Sequence, residues 1–232
     1  MALALLPFFQ FFRSTPHQLA AIKELEERMP QDLLAEEDNA WFDAWKASGI
    51  DQEVSMPYFS QLDNKIGIPD RQCFSSAAAM VAAFYKKVKT DDEYNAIRVK
   101  YGDTTSVDAQ IQTLRSLGLN AEFRQDGDFD LIELEIERGR PILAGYLHYG
   151  DVLKGEAPHG TGHWLVVNGF AGKYSNDPEL IVQDPRGMPD MIRGGHKNAS
   201  KGRNARVRQS EFYPRWSVDG PGTGWVILVD DL

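Results

Sequence analysis

The chain has 232 residues, of which 42% are hydrophobic and 25% charged, with a formal net charge of -9. That length holds one large domain, or a domain with an appendage, around a sizeable core. The acidic balance argues against a general nucleic-acid binder, whose footprint is basic, and is read as a solubility charge. The single cysteine, Cys73, excludes a disulfide scaffold and a multi-cysteine zinc site.

The apolar start, from Met1 to Phe12, has no Lys or Arg ahead of it and is interrupted by Pro7 and Gln10. It lacks the basic opening of a signal peptide and the length of a membrane span. Cytoplasmic synthesis without an export signal is therefore expected, with this stretch as an aromatic-rich docking segment. Thr15 and Pro16 fit the N-cap and first position of a helix in which Leu19, Ile22 and Leu25 recur up to Met29. A second helix is expected over Asp32 to Ala47, burying Leu34, Trp41, Phe42 and Trp45. Residues 1–50 thus read as a helical segment that either packs onto the main domain or contacts a partner or the cell envelope.

Residues 51–232 read as the main domain. Met56 to Phe59 is an extended approach, and Asp63 to Asp70 a turn-rich loop. Cys73 to Tyr85 predicts a helix that is apolar or small on nearly every side, hence buried. Asp91 to Tyr101 predicts an amphipathic helix. Thr105 to Asp108 can cap a third, running to Leu117 and stopped by Gly118. Ala121 to Arg124 predicts a strand and Asp130 to Arg138 a short helix. Pro141 to His148, His163 to Gly169, Leu180 to Gln183 and Trp225 to Val229 predict strands. Residues 186–209, basic and glycine-rich, read as a mobile stretch. Helices first and an antiparallel sheet second make an α+β fold.

Three residues supply the groups a thiol-dependent hydrolase needs. Cys73 stands where a loop turns into a helix, and a helix N-terminus favours the thiolate. His163 opens an apolar strand after Gly160-Thr161-Gly162, a rigid mount for a base. Asp184 ends the next strand and can hold the imidazole in one tautomer. Gln61, on the preceding extended segment, is the favoured oxyanion donor beside the Cys73 N–H; Gln72, adjacent to the cysteine, is the other candidate. Trp164 is the residue best placed to shield the His–Asp pair, and Trp216 and Trp225 read as core or cleft-wall aromatics. His148 is read as lining the cleft or lying on the surface. His159 and His163 are four apart, but Gly160 and Gly162 oppose the helix a zinc pair would need. No cofactor or metal is expected.

Taken together, Tyr58 to Asn64, Cys73 to Ser76, Tyr101 to Thr105, Gly139 to Ile142, Gly162-His163-Trp164 and Asp184-Pro185 resemble the bacteriocin-processing, double-glycine type of papain-clan cysteine peptidases. The resemblance covers roughly residues 55–230 and implies a papain-like fold, with Cys73 as nucleophile, His163 as base, Asp184 as its orienting partner and Gln61 as oxyanion donor. Many members place the glutamine closer to the cysteine. The versions it looks most like are single-domain phage and bacterial proteins, some of them cell-wall lysis enzymes. The expected substrate is therefore a peptide or the peptide cross-links of peptidoglycan, cleaved at the cell wall after release, as by a phage endolysin. A protein-processing peptidase, an acyltransferase using the same triad and a non-catalytic binding module on the same fold are the alternatives.

Overall fold

Apolar side chains alternate along the strands of the main sheet, so each face carries its own core, and helices cover both. The computed structural model describes residues 51–173 and 175–231; the helical segment expected over residues 1–50 lies outside the described residues. Five helices are described: α1 (Cys73–Phe84), α2 (Asp91–Arg98), α3 (Val107–Ser116), α4 (Phe129–Glu137) and α5 (Gln209–Trp216). The strands are β1 (Gln52–Glu53), β2 (Leu119–Gly127), β3 (Ile142–Tyr146), β4 (His163–Ala171), β5 (Glu179–Gln183), β6 (Met188–Pro189), β7 (His196–Asn198), β8 (Ala205–Arg208) and β9 (Gly224–Asp231). The main sheet runs β2-β9-β3-β4-β5-β8, with β1 also pairing β4, and every pairing in it is antiparallel. This is the expected α+β arrangement.

One face carries Leu143, Trp164, Val166, Ile227 and Val229, packed with α1, α2 and α3. The other carries Ile142, Ala144, Leu165, Val167 and Val226, packed with Ile132 and Ile136 of α4 and Phe212 and Trp216 of α5. β4 lies between β3 and β5 at the middle of the sheet and is buried along its whole length. It is a mount shielded from solvent on both faces.

Helix α1 forms because alanine has the highest helix propensity and because Phe74 to Ala82 are all buried. Its two serines anchor it. Gln110 Nε2 donates to Ser75 Oγ at 3.0 Å, Ser75 and Thr104 hydroxyls lie 2.7 Å apart, and Thr104 Oγ1 donates to Gln72 Oε1 at 3.0 Å. Ser76 Oγ donates to Asp91 Oδ2 at 3.0 Å and accepts from Asn64 Nδ2 at 2.8 Å. The start of α1 is thereby tied to α2, to α3 and to the loop before it.

Three expectations differ from what is observed. Residues 186–209 are not a structureless loop: they form the β6–β7 hairpin and β8, which pairs with β5. Helix α5, with Pro214 inside it, has no counterpart among the predicted elements. Trp216 is buried, as a core aromatic should be, but Trp225 is 43% exposed.

Arg215 of α5 is the most deeply buried arginine among the described residues and has no carboxylate partner among its hydrogen bonds. Its guanidinium donates instead to the carbonyls of Leu147, Tyr149, Gly150, Met191 and Ile192. It thus staples the segment after β3 to the β6–β7 turn. Replacing it with methionine leaves buried carbonyls short of donors. Arg215→Met is expected to lower stability by about 3 kcal/mol, measured by denaturant unfolding; a loss below about 1 kcal/mol would contradict the staple.

Candidate active site

Cys73 is the first residue of α1, and its N-cap, Gln72, makes no side-chain cap. The side chains of Thr90, Ser106 and Asp128 cap α2, α3 and α4. The first turn of α1 therefore has no capping side chain competing for its N–H groups, and its dipole favours negative charge on the adjacent sulfur. Cys73 as a residue is half-buried.

His163 and Asp184 reach the same end of the sheet through strand pairing. His163 opens β4 and pairs with Tyr146 at the end of β3. Asp184 follows β5, whose last residue, Gln183, pairs with Val166 on the other side of β4. His163 Nε2 lies 2.9 Å from Asp184 Oδ1, both side chains being almost wholly buried. An ionised carboxylate only accepts, so Nε2 carries the proton. That leaves Nδ1 as the ring nitrogen free for the Cys73 thiol, whose charge is coupled to that of His163. The structure thus brings the three predicted residues together, with His163 bonded to Asp184 and coupled in charge to Cys73.

The charges reinforce one another. Burial pushes the Cys73 thiol up, but the His163 charge, its hydrogen bond and the Trp164 N–H outweigh this and leave the thiol below its ordinary value. Burial alone would lower His163; Asp184, Cys73 and the bonds to both raise it to about 10. Burial would raise Asp184; the His163 charge and hydrogen bonds from His163 and His196 hold it well below the usual carboxylate range. These shifts favour a thiolate–imidazolium pair over the neutral thiol and imidazole.

Asp184 has further partners. Oδ1 also accepts from the Arg186 N–H at 2.9 Å, and Oδ2 from Tyr146 Oη at 3.3 Å and His196 Nε2 at 3.2 Å. Its carbonyl accepts from Tyr58 Oη at 3.0 Å, and its N–H donates to Gly202 O at 2.9 Å. A Cβ on Gly202 would collide with that Asp184 carbonyl, so only glycine fits there. Both imidazoles on Asp184 use as donor the Nε2 that a metal would need.

Gln61 is fully buried. Its N–H donates to Pro185 O at 2.8 Å, joining it to the Asp184 turn. Its side-chain amide donates to Pro69 O at 2.9 Å, and its Oε1 is buried without a hydrogen-bond partner. Gln72 is also buried, with its Oε1 held by Thr104. Trp164 does not cover the His–Asp pair: its ring stacks on Phe74 at 4.0 Å, in space that Gly145 opens across the strand. Tyr146, edge-on to His163 at 5.4 Å, and His196, at 4.9 Å, flank the imidazole instead. His148 is half-buried, with its ring 5.3 Å from that of His163. His159 bridges to Tyr149 and is not on a helix with His163. Sequence reading missed Tyr146 and His196. Tyr146 follows only from the β3–β4 register, and His196 carried only the signal of a histidine after two glycines.

An α+β fold with a histidine-paired thiol at a helix start defines a cysteine peptidase of the papain-like class. The chain belongs to the Peptidase_C39 like family, which residues 53–201 match. No curated relative matches it in sequence. Among solved structures, a C39-like peptidase from Bacillus anthracis has the same fold: TM-score 0.51, 12% identity, covering 78% of this chain and 98% of that one. A double glycine motif protease from an AMS/PCAT transporter, in complex with the leader peptide, matches at TM-score 0.44 and 16% identity, over 78% of this chain and 95% of that one. The peptidase domain of Streptococcus ComA matches at TM-score 0.42 and 16% identity, over 72% and 96%.

Asp184→Asn keeps the volume but removes the charge that fixes the His163 tautomer. It is expected to lower kcat/KM by about a hundredfold or more; activity within threefold of the parent would contradict the assignment. A second outcome concerns acid stability. Burial, followed by the charges of His163 and His196, pushes His148 down from 6.5 to about 4. The unfolded chain then takes up this proton first, so the contribution is whole above the unfolded value and is lost as pH falls toward the folded one. His148→Phe should lose less stability than the parent between about pH 6.5 and 4, measured by denaturant melts; parallel losses would contradict it.

Proposed function

We propose that Cys73, His163 and Asp184 are the catalytic triad of this peptidase, with Gln61 as oxyanion donor. The observation that carries this reading is the buried His163–Asp184 hydrogen bond, with the imidazole coupled in charge to the Cys73 thiol at an N-terminus without a side-chain cap. The Cys73 thiolate attacks the amide carbon, and the carbonyl π electrons move onto oxygen. The N–H of Cys73 and the second amide hydrogen of Gln61 offer donors for that oxyanion. Collapse breaks the C–N bond while His163 Nδ1–H protonates the departing amine. Water, deprotonated by the now neutral His163, attacks the thioester; the C–S bond breaks and the thiolate returns.

For substrate we infer the peptide cross-links of bacterial peptidoglycan, cleaved at the cell wall after release from the cytoplasm, as by an endolysin. The support is the resemblance of the Tyr58–Asn64, Cys73–Ser76 and Gly162–Trp164 motifs to the double-glycine family, whose single-domain phage and bacterial versions include cell-wall lysis enzymes. Residues 1–50 would serve as the envelope contact. Among the described residues no helix is long and apolar enough to cross a membrane.

Purified protein is expected to release new free amines from isolated sacculi and to clear outer-membrane-permeabilised cells. Cys73→Ala and Cys73→Ser should abolish both. Cleavage of a protein panel with intact sacculi would replace the wall reading with protein processing. Full hydrolysis by Cys73→Ala would remove the triad.

A further inference from the structure

A carboxylate held by one oxygen can turn about its terminal torsion, which is broad and roughly two-fold. Asp184 is held by both. Its Oδ1 takes His163 and the Arg186 N–H, and its Oδ2 takes Tyr146 and His196. Of the two donors on Oδ2, Tyr146 is a neutral phenol whose pKa burial and Asp184 push well upward. His196 is the donor that comes from outside the β3–β4–β5 strand ends, on the β6–β7 hairpin.

We propose that His196 is a positioning residue, acting through Asp184 to keep Oδ1 facing His163. The inference rests on the triad reading above and adds a fourth residue to it.

The surroundings of His196 support the role. It opens β7, directly after Gly194 and Gly195, whose φ angles of 79° and 72° belong to the left-handed region. Asp190 Oδ1 accepts from the N–H groups of Ile192 and Arg193, closing the turn that precedes them. The Gly195 N–H donates to His148 O at 2.5 Å. Arg215 then binds the Met191 and Ile192 carbonyls of this turn and the Leu147, Tyr149 and Gly150 carbonyls around His148. A buried cation devoted to backbone on both sides fixes the two segments that deliver these histidines. The His196 side chain is only 7% exposed. The titratable groups facing it are Asp184 after β5, His163 on β4, and Tyr146 and His148 at and beyond the end of β3.

The test separates the N–H donor from the space it fills. Glutamine and methionine have similar length and volume, but only glutamine offers an N–H. His196→Met is expected to lower kcat about tenfold, the size of one charge-assisted hydrogen bond, with KM nearly unchanged. His196→Gln should recover most of that loss. The second readout is the pH dependence of Cys73 alkylation by iodoacetamide. Without the donor, Asp184 holds the imidazolium less firmly and the thiolate is less favoured, so the acidic limb should move up by about half a unit or more in His196→Met. It should stay near the parent's in His196→Gln. Equal kcat in all three proteins would overturn the proposal. So would equal losses in both variants with an unmoved limb, which is the result of packing alone. A parent Cys73 that alkylates no faster than a free thiol would overturn the triad itself, and the role of His196 with it.

Discussion

The site depends on keeping an ionised carboxylate in the protein interior. Asp184 is fully buried, and an isolated buried charge is among the costliest features a fold can carry. Here four donors meet the two carboxylate oxygens, and Tyr58 and Gly202 bond the backbone of the same residue. These donors come from the ends of β3 and β4, from the turn after β5, from the β6–β7 hairpin and from the segment ahead of Gln61. Fixing Asp184 therefore fixes most of the loops around the thiol. The Gln61 N–H bond to Pro185, one residue on, extends the same frame to the proposed oxyanion donor.

Held in that frame, Asp184 determines how His163 behaves. Its charge raises the imidazole and orders its protons, so Nε2 donates inward and Nδ1 faces Cys73. Burial opposes charge on each of the three groups. Attraction to His163 and the Trp164 N–H overcome that opposition at Cys73. The helix that carries the thiol is itself immobilised through Ser75 and Ser76, whose hydroxyls bind α2, α3 and the preceding loop. Charge placement at this site is thus a product of packing: alanines let α1 lie against β4, and Gly145 makes room for Trp164 to stack on Phe74.

The parts legible in the sequence are those written in local signals. The run of small residues after Cys73 marked a buried helix and placed the thiol at its start. Apolar runs bounded by glycine, proline and aspartate gave β3, β4 and β5, and with them His163 at one strand's start and Asp184 at another's end. The rest depends on partners distant in sequence. His196 looked like one more residue of a basic, glycine-rich loop, because nothing nearby shows that its hairpin folds back onto Asp184. Nothing local to Arg215 marks it as buried, since the carbonyls it binds come from segments far away along the chain. Trp164 was expected over the His–Asp pair, but strand alternation turns it to the opposite face from Tyr146 and toward α1.

The central claim is that Cys73 exists as a thiolate paired with a protonated His163 at neutral pH. Ultraviolet thiolate absorbance, followed by pH titration of the whole protein, tests it directly, because Cys73 is the chain's single thiol. The account predicts a thiolate signal that persists well below the ordinary range of a free thiol and disappears in His163→Gln. A thiol that titrates at the ordinary value in the parent, or identically in both proteins, would contradict it.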